Sequence, residues 1–206
     1  MARGRVVPEG FLRRALAACL LLGLAAGGAA CDLFEARKPN DPGSNFFPCL
    51  SLGDKENVFT NILRSYGRGD GLSCYLTTLD ETGFAFHPDP ADSTEAPADL
   101  YKNWTKLVER QVTQNLVSGA TSFGLRYTDT LVVSPGDDAE VRRYTYEIEF
   151  KGAAIPDTLF QGIAEITIRR SNAGLWQVTD WVDRRDPGGT TTRTWGFLRG
   201  AFRSGI

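Results

Sequence analysis

The spacing of apolar residues changes from a helical period to a strand period near the middle of this 206-residue chain. From residue 54 to residue 118 the apolar residues recur every three to four positions, which predicts amphipathic helices. From residue 123 to residue 183 they alternate with polar residues in four runs, which predicts four strands. The breaks between these runs are short and rich in Gly, Pro, Asp and Asn, so we expect an antiparallel meander.

Helices are also predicted to dominate the chain before the meander, and one more helix should follow it. We expect helices over residues 54–67, 70–79, 99–118 and 194–203, and a short strand over residues 83–87. The stretch HPDPADSTEAP is expected to be a loop because of its prolines and acidic residues. The predicted order is ααβαββββ followed by a C-terminal helix, which is an α+β fold.

This order and three stretches of sequence resemble the NTF2-like cone, the fold of the polyketide cyclase (SnoaL-like) and ketosteroid isomerase superfamily. The stretches are ENVFTNILRSYGRGDGLSCYLTTLDETGFAF, WQVTDWVDRRD and TWGFLRGAFR. The resemblance implies a cystatin-like cone, in which a curved antiparallel sheet wraps around the long helix and encloses an apolar pocket. Because the superfamily holds both enzymes and binding domains, the resemblance predicts a fold and leaves the reaction open.

The first thirty residues carry the pattern of a secretory signal peptide, with four arginines ahead of an apolar run at residues 15–26. That run is shorter than the ~20 residues that a membrane-spanning helix needs. The sequence GAAC at residues 28–31 resembles a bacterial lipobox, whose cysteine carries the lipid, although that motif prefers an aliphatic residue where this chain has Gly28. We therefore predict lipidation of Cys31, with an unmodified cysteine beside a plain signal-peptidase site as the alternative.

These features divide the chain into three parts. Residues 1–30 are the predicted lipoprotein signal peptide, residues 31–50 the lipidated cysteine and a flexible tether, and residues 51–206 the NTF2-like domain with its C-terminal helix. Residues 32–48 contain three prolines and no apolar period, which is typical of a linker. We expect the protein in the bacterial cell envelope, held to a membrane by its N-terminal lipid and facing the periplasm or the exterior. The sequence leaves the choice between inner and outer membrane open.

Charge and composition exclude several classes of ligand. The signal peptide holds four of the 23 basic residues and one of the 25 acidic ones, so the remaining chain carries a net charge near −5. That balance argues against a nucleic-acid partner. One histidine and four cysteines are too few for most zinc sites built from several His or Cys ligands. We predict no metal and no cofactor.

Two cysteines remain once the signal peptide and Cys31 are set aside. Cys49 and Cys74 would form an even pair in an oxidising compartment. A disulfide between them would close a loop of about 25 residues and stabilise the fold by ~3.5 kcal/mol through loop-closure entropy. We expect that disulfide, and two buried thiols are the alternative.

The resemblance also suggests residues for an isomerase-like reaction. In that family an acid at the end of the first strand is the base, and a tyrosine and a protonated acid stabilise the oxyanion. The base position falls on His87, the only histidine in the chain. Tyr66 lies one helical turn beyond the tyrosine position, and Asp183 is an acid on the last strand. In the alternative interpretation, His87 is a solvent-exposed residue at a strand end.

Several aromatic residues are candidates either for lining a pocket or for plain core packing. They are Phe86, Trp104, Tyr144, Tyr146 and Trp181. We expect a non-catalytic domain that binds a small apolar ligand or a protein. The first alternative is an isomerase or lyase that uses His87 as its base. The second is a structural or assembly lipoprotein that forms a homodimer through its sheet, although the polar outward residues Thr145, Glu147 and Glu149 argue against a dry interface there.

Overall fold

The computed structural model describes residues 48–68, 72–97, 99–153, 155 and 158–204. The predicted signal peptide, Cys31 and most of the predicted tether lie outside the described residues. Among the described residues, no helix combines the length and the apolar composition that crossing a membrane requires.

The described helices and strands follow the predicted order with one addition. They are α1 (Lys55–Arg68), α2 (Leu72–Thr78), β1 (Ala85–His87), α3 (Pro90–Glu95), α4 (Lys106–Gly119), β2 (Ala120–Ser134), β3 (Ala139–Gly152), β4 (Thr158–Arg170), β5 (Trp176–Arg184) and α5 (Trp195–Arg203). The predicted α+β class and the four meander strands are confirmed.

The five strands form one sheet in the order β1-β5-β4-β3-β2. Strands β2 to β5 pair antiparallel with their sequence neighbours, and β1 pairs in parallel with β5, where Phe86 lies opposite Trp181. Side chains alternate across the sheet, so that Tyr144, Tyr146 and Ile148 of β3 are buried on the helix side. The opposite side of β3 carries Thr145, Glu147 and Glu149, whereas Glu140 and Arg142 of the same strand are buried.

Two sequence predictions about local structure are wrong. The stretch predicted as a loop contains the short helix α3, because Asp89 caps it by accepting from the amide of Ala91 at 2.9 Å and Pro90 occupies its first turn. The long helix begins at Lys106 rather than at residue 99. Residues 99–103 form turns instead, and Asn103 has a φ of 52°, which a right-handed helix does not allow.

A disulfide joins Cys49 to Cys74, with their Cα atoms 5.1 Å apart. It connects the segment ahead of α1 to helix α2. The same segment is held a second time by Asn61 of α1, which exchanges two hydrogen bonds of 2.9 Å with the backbone of Leu50. The end of the predicted tether is therefore fixed to the helical layer at two points.

Candidate functional site

The interior of the cone, where the resemblance implies a pocket, is filled by the C-terminal helix α5. This helix begins at Trp195 because Thr194 caps it and accepts from the amide of Phe197 at 3.2 Å. Its apolar face points into the molecule, where Trp195, Leu198 and Phe202 are at most 4% exposed. The chain's own side chains therefore occupy the place of a ligand.

Arg199 of α5 carries a full charge into this interior at 1% exposure. Its guanidinium carbon lies 4.3 Å from the ring centre of Phe86, 4.5 Å from that of Trp181 and 4.6 Å from that of Trp195. Contacts of a cation with aromatic faces at this range are attractive, and more so when water is excluded. The aromatic rings thus form a cage around the guanidinium.

Glu109 of α4 neutralises Arg199 and is itself fully buried. The Nε of Arg199 donates to Oε1 of Glu109 at 3.0 Å, Tyr75 donates to the same oxygen at 2.6 Å, and Trp104 donates to Oε2 at 2.7 Å. Burial, together with the negative charge of Glu109, raises the pKa of Tyr75 well above its usual range. The carboxylate is therefore held from several sides and Tyr75 stays protonated.

A second buried carboxylate, that of Asp183 on β5, holds the first turn of α5. It accepts from the hydroxyl of Tyr146 at 2.8 Å and from the amide of Gly196 at 2.6 Å. Tyr146 in turn accepts from the amide of Trp195 at 2.7 Å. Burial raises the pKa of Asp183 to about 6, although these hydrogen bonds act in the opposite direction. The amides of Trp195 and Gly196, which have no intrahelical partner at a helix start, are thus hydrogen-bonded to Tyr146 and Asp183.

Two acidic side chains of and next to helix α3 bind the segment that leads into α5. Asp92 is 2% exposed and accepts from the hydroxyl of Thr194 and from Nη2 of Arg185, the latter at 3.2 Å. Asp89 accepts from the backbone amide of Arg185 at 2.8 Å. Burial raises the pKa of Asp92. The added helix α3 therefore helps to hold the segment that leads into α5.

The three residues predicted for catalysis do not come together. His87 has a side chain that is 57% exposed, and its Nε2 lies 2.9 Å from Oδ1 of Asp180. Because its neighbour Phe86 points inward, the alternation of the strand turns His87 outward. Asp183 and Tyr66 both lie inside, and Tyr66 packs its ring against those of Tyr75, Phe123 and Trp195. The structure therefore does not bring His87 together with Tyr66 or Asp183.

The aromatic residues predicted for a pocket are core residues, each at most 4% exposed. They are Phe86, Trp104, Tyr144, Tyr146 and Trp181. Depressions of about 180, 230 and 320 Å³ lie on the described surface, and none of these five residues lines them. Their alternative interpretation, plain core packing, fits the structure. In the part of the chain that is described, no group of three or more His, Cys, Asp or Glu side chains could hold a metal ion.

The sequence interpretation missed Glu109 and Arg199, although a signal was present. Both are charged residues at positions of an apolar helical stripe, Glu109 three residues before Val112 and Arg199 four residues after Trp195. A charge at such a position is buried only when it is paired. Two such charges of opposite sign could therefore have been proposed as a pair.

The sequence matches no family model, and it matches no curated protein. Solved structures do resemble it. A Novosphingobium aromaticivorans protein provisionally assigned as an aromatic ring hydroxylase has a TM-score of 0.52 at 13% identity, over 68% of this chain and 92% of that chain. A protein provisionally assigned as a scytalone dehydratase from the same organism has a TM-score of 0.51 at 9% identity, over 68% and 89%.

A Kribbella flavida protein matches at a TM-score of 0.52 and 11% identity, over 70% of this chain and 93% of that chain. Similarity at these identities concerns the fold alone. The chain has the NTF2-like fold that its sequence predicts.

Proposed function

We propose that this protein is a lipid-anchored NTF2-like domain of the bacterial cell envelope that acts by binding a partner protein on its outer surface, without catalysis. The observation that carries this proposal is the filled interior, in which Trp195 and Arg199 occupy the centre of the cone at 0% and 1% exposure. A domain whose interior is occupied by its own helix has its surface left for recognition.

The size of the burial supports this interpretation. Burial of Trp195, Leu198 and Phe202 contributes ~1.5–3 kcal/mol for each side chain. Displacement of α5 would also take Arg199 away and leave the buried carboxylate of Glu109 unpaired, at a cost of about 3–5 kcal/mol. A small molecule that replaced α5 would have to offset on the order of 10 kcal/mol. A ligand whose intrinsic dissociation constant is about 50 nM would therefore have no net affinity left for the interior.

The catalytic alternative finds no unengaged base among the interior residues that the structure describes. His87 lies on the outward side of the sheet beside Asp180, and a general base must reach its substrate within hydrogen-bond distance. Inside the cone, Asp183 is engaged with the amide of Gly196, and Tyr75 is engaged with Glu109. The interior groups therefore serve the position of α5.

A small apolar ligand is the second candidate, and one surface feature favours it. A depression of about 180 Å³ lies beside α5 and is lined mainly by apolar residues, among them Leu100, Phe197 and Ala201. Pockets for ligands of ordinary size hold about 300–1,000 Å³. Only a ligand of a few heavy atoms would be enclosed there.

The anchor is supported by the lipobox and the tether in the sequence, which lie for the most part outside the described residues. The disulfide between Cys49 and Cys74 adds support, because such bonds persist in extracytoplasmic compartments and are rare in the cytosol. Together these features favour a domain displayed on a membrane surface.

Complementation of a deletion strain in the native host tests the proposal. We expect His87→Ala to restore the deletion phenotype fully and Cys31→Ser to fail, with the latter protein released to the soluble fraction. Native mass spectrometry of the full chain from host membranes should give the mass of the lipidated polypeptide without a bound small molecule. Failure of His87→Ala at normal protein level would support catalysis. A stoichiometric small molecule would support the second candidate, and membrane retention of Cys31→Ser would contradict the anchor.

A further inference from the structure

We propose that two copies of this chain pair antiparallel through the free edges of their β2 strands, with residue i of one copy opposite residue 255 − i of the other. This inference goes beyond the proposed function, since it depends only on β2 and would hold whatever else the domain binds. It differs from a dimer through the sheet face, because the contact lies along the strand edge.

Strand β2 is a long edge strand with an exposed aliphatic end. It has 15 residues and pairs only with β3 among the described strands, so its other edge carries unpaired backbone groups. Leu131 is 54% exposed, and Val132 and Val133 are each 44% exposed. Successive residues of a strand point to opposite faces, so both faces of this end are uncovered. Proteins ordinarily blunt or cover such an edge.

A β-bulge places the two charges of β2 on the same face. Arg126 and Asp129 are the only charged residues of this strand. The register between β2 and β3 shifts between Tyr127 and Asp129, which leaves Thr128 as the extra residue. Arg126 pairs with Glu147 and Asp129 pairs with Thr145, and both of these β3 residues lie on the outward side. Without the bulge, residues 126 and 129 would point to opposite faces.

Two antiparallel β2 strands can then satisfy both charges. When residues that sum to 255 lie opposite each other, Arg126 of each copy meets Asp129 of the second copy, and the two-fold axis repeats the contact. Arg126 is 67% exposed and already contacts Glu147 of its own chain. It would lie between two carboxylates in the pair. An exposed ion pair contributes little energy, so its effect is mainly to fix the register.

The same register places the exposed aliphatic side chains of one copy where the second copy has room for them. Leu131 of one copy lies opposite Gly124 of the second copy, and Val132 lies opposite Phe123. A Cβ added to Gly124 would meet no atom within 4 Å, and a depression of about 230 Å³ is lined by Gly124, Leu125, Arg126, Glu147 and Glu149. Leu131 pairs with the exposed Arg143 and so shares the outward face with Gly124. Charge and shape therefore select one register independently.

Two other occupants of this edge are less favoured. Asp137 and Asp138 lie in the turn next to the aliphatic residues, and an anionic lipid surface would repel them. An extended segment of another protein could pair with the edge, but nothing on β2 specifies its sequence. A second copy, by contrast, supplies both the complementary charge and the side chain opposite Gly124.

Cysteine cross-linking of the full chain in host membranes tests the register. Opposite residues in an antiparallel pair have Cα atoms about 4.5–5.5 Å apart, which a disulfide can span. The double variant Gly124→Cys with Leu131→Cys should therefore give a covalent dimer on a non-reducing gel. These two positions are about 23 Å apart within one strand and cannot bridge in one chain. The matched control, Gly124→Cys with Val133→Cys, is two residues out of register and should give at least fivefold less dimer.

Charge reversal in the in-register cysteine variant tests the ion pairs. Arg126→Asp alone and Asp129→Arg alone should each lower the dimer yield several-fold, and the two together should restore it. Equal yields from the two cysteine pairs, or a double reversal that fails to recover the yield, would overturn the proposal. So would a dimer that needs a second protein, because the edge would then be occupied by that protein. These outcomes leave the proposed function standing, since complementation decides it separately.

Discussion

Two pairs of a basic side chain and a carboxylate in this molecule share a geometry and differ in surroundings. Arg199 and Glu109 lie 3.0 Å apart inside the cone, at 1% and 0% exposure. His87 and Asp180 lie 2.9 Å apart on the outward side of the sheet, at 57% and 37% exposure. Water screens the second pair and not the first. Distance alone therefore says little about what each pair contributes.

The two pairs also differ in how many neighbouring groups hold them in place. The inner pair is enclosed by aromatic rings and by the donors Tyr75 and Trp104, which fix α5 in one position. Among the residues that the structure describes, the outer pair is held by the single side-chain hydrogen bond between its own two members. The inner side therefore holds the fold together, whereas the side chains of the outer pair are exposed to solvent.

Removal of the negative charge of Glu109 should lower the free energy of unfolding more than the other substitutions below. Glu109→Gln leaves Arg199 buried without a counter-charge, and we expect the free energy of unfolding to fall by about 3–5 kcal/mol. Urea unfolding followed by tryptophan fluorescence measures this. The double variant Glu109→Gln with Arg199→Met is the control and should recover a large part of the loss. A loss below about 1 kcal/mol for Glu109→Gln would contradict the importance of the inner pair.

The pH dependence of stability should show the buried carboxylate of Asp183. Its pKa is raised from 3.8 to about 6 in the fold, so the folded state favours the protonated form. This group contributes stability that is fully present below pH 3.8 and is lost as the pH rises through 6, by about 3 kcal/mol in total.

Asp183→Asn should remove this contribution to the pH profile. We expect the difference in unfolding free energy between the natural chain and this variant to change between pH 4 and pH 7, with the natural chain losing more as the pH rises. Glu56 and Glu140, whose pKa values are lowered, act equally in both proteins and cancel in the difference. A difference that stays constant over this range would mean that Asp183 is not buried as described.

Substitutions in the outer pair, His87 and Asp180, should change the free energy of unfolding least. His87→Ala should change the free energy of unfolding by less than about 0.5 kcal/mol, because exposed ion pairs contribute little. Urea unfolding under the conditions used for Glu109→Gln measures it, with Asp180→Asn as the matched variant. A loss comparable to that of Glu109→Gln would erase the distinction between the two sides.

Alternation within the strands was enough to predict most of the sheet and its inward residues. Tyr144, Tyr146 and Trp181 lie inside as period two requires. The same rule, applied to Phe86, turns His87 outward, so its failure as an interior base could have been anticipated. The helix α3 was missed because a six-residue helix has too little period to detect, although Asp89 and Pro90 carry the signal of a helix start.

The inner pair could not be located from local pattern alone. Glu109 and Arg199 are 90 residues apart, and their contact depends on how α4 and α5 pack against the sheet. The position of a charge on an apolar stripe predicts that a partner exists and does not say which one. The filling of the cone by Trp195 also depends on tertiary packing. The apolar period of α5 predicts that one face is buried, but it does not predict which elements that face packs against.

Hydrogen exchange at the start of α5 tests the filled interior most directly. The first amides of a helix usually exchange fast because they lack intrahelical partners, yet the amides of Trp195 and Gly196 are bonded to Tyr146 and Asp183 in the core. We expect both amides in the full chain to exchange only through global unfolding, with the same free energy as the centre of β3. Exchange at the rate of an exposed loop would contradict the account, because α5 would then leave the interior open.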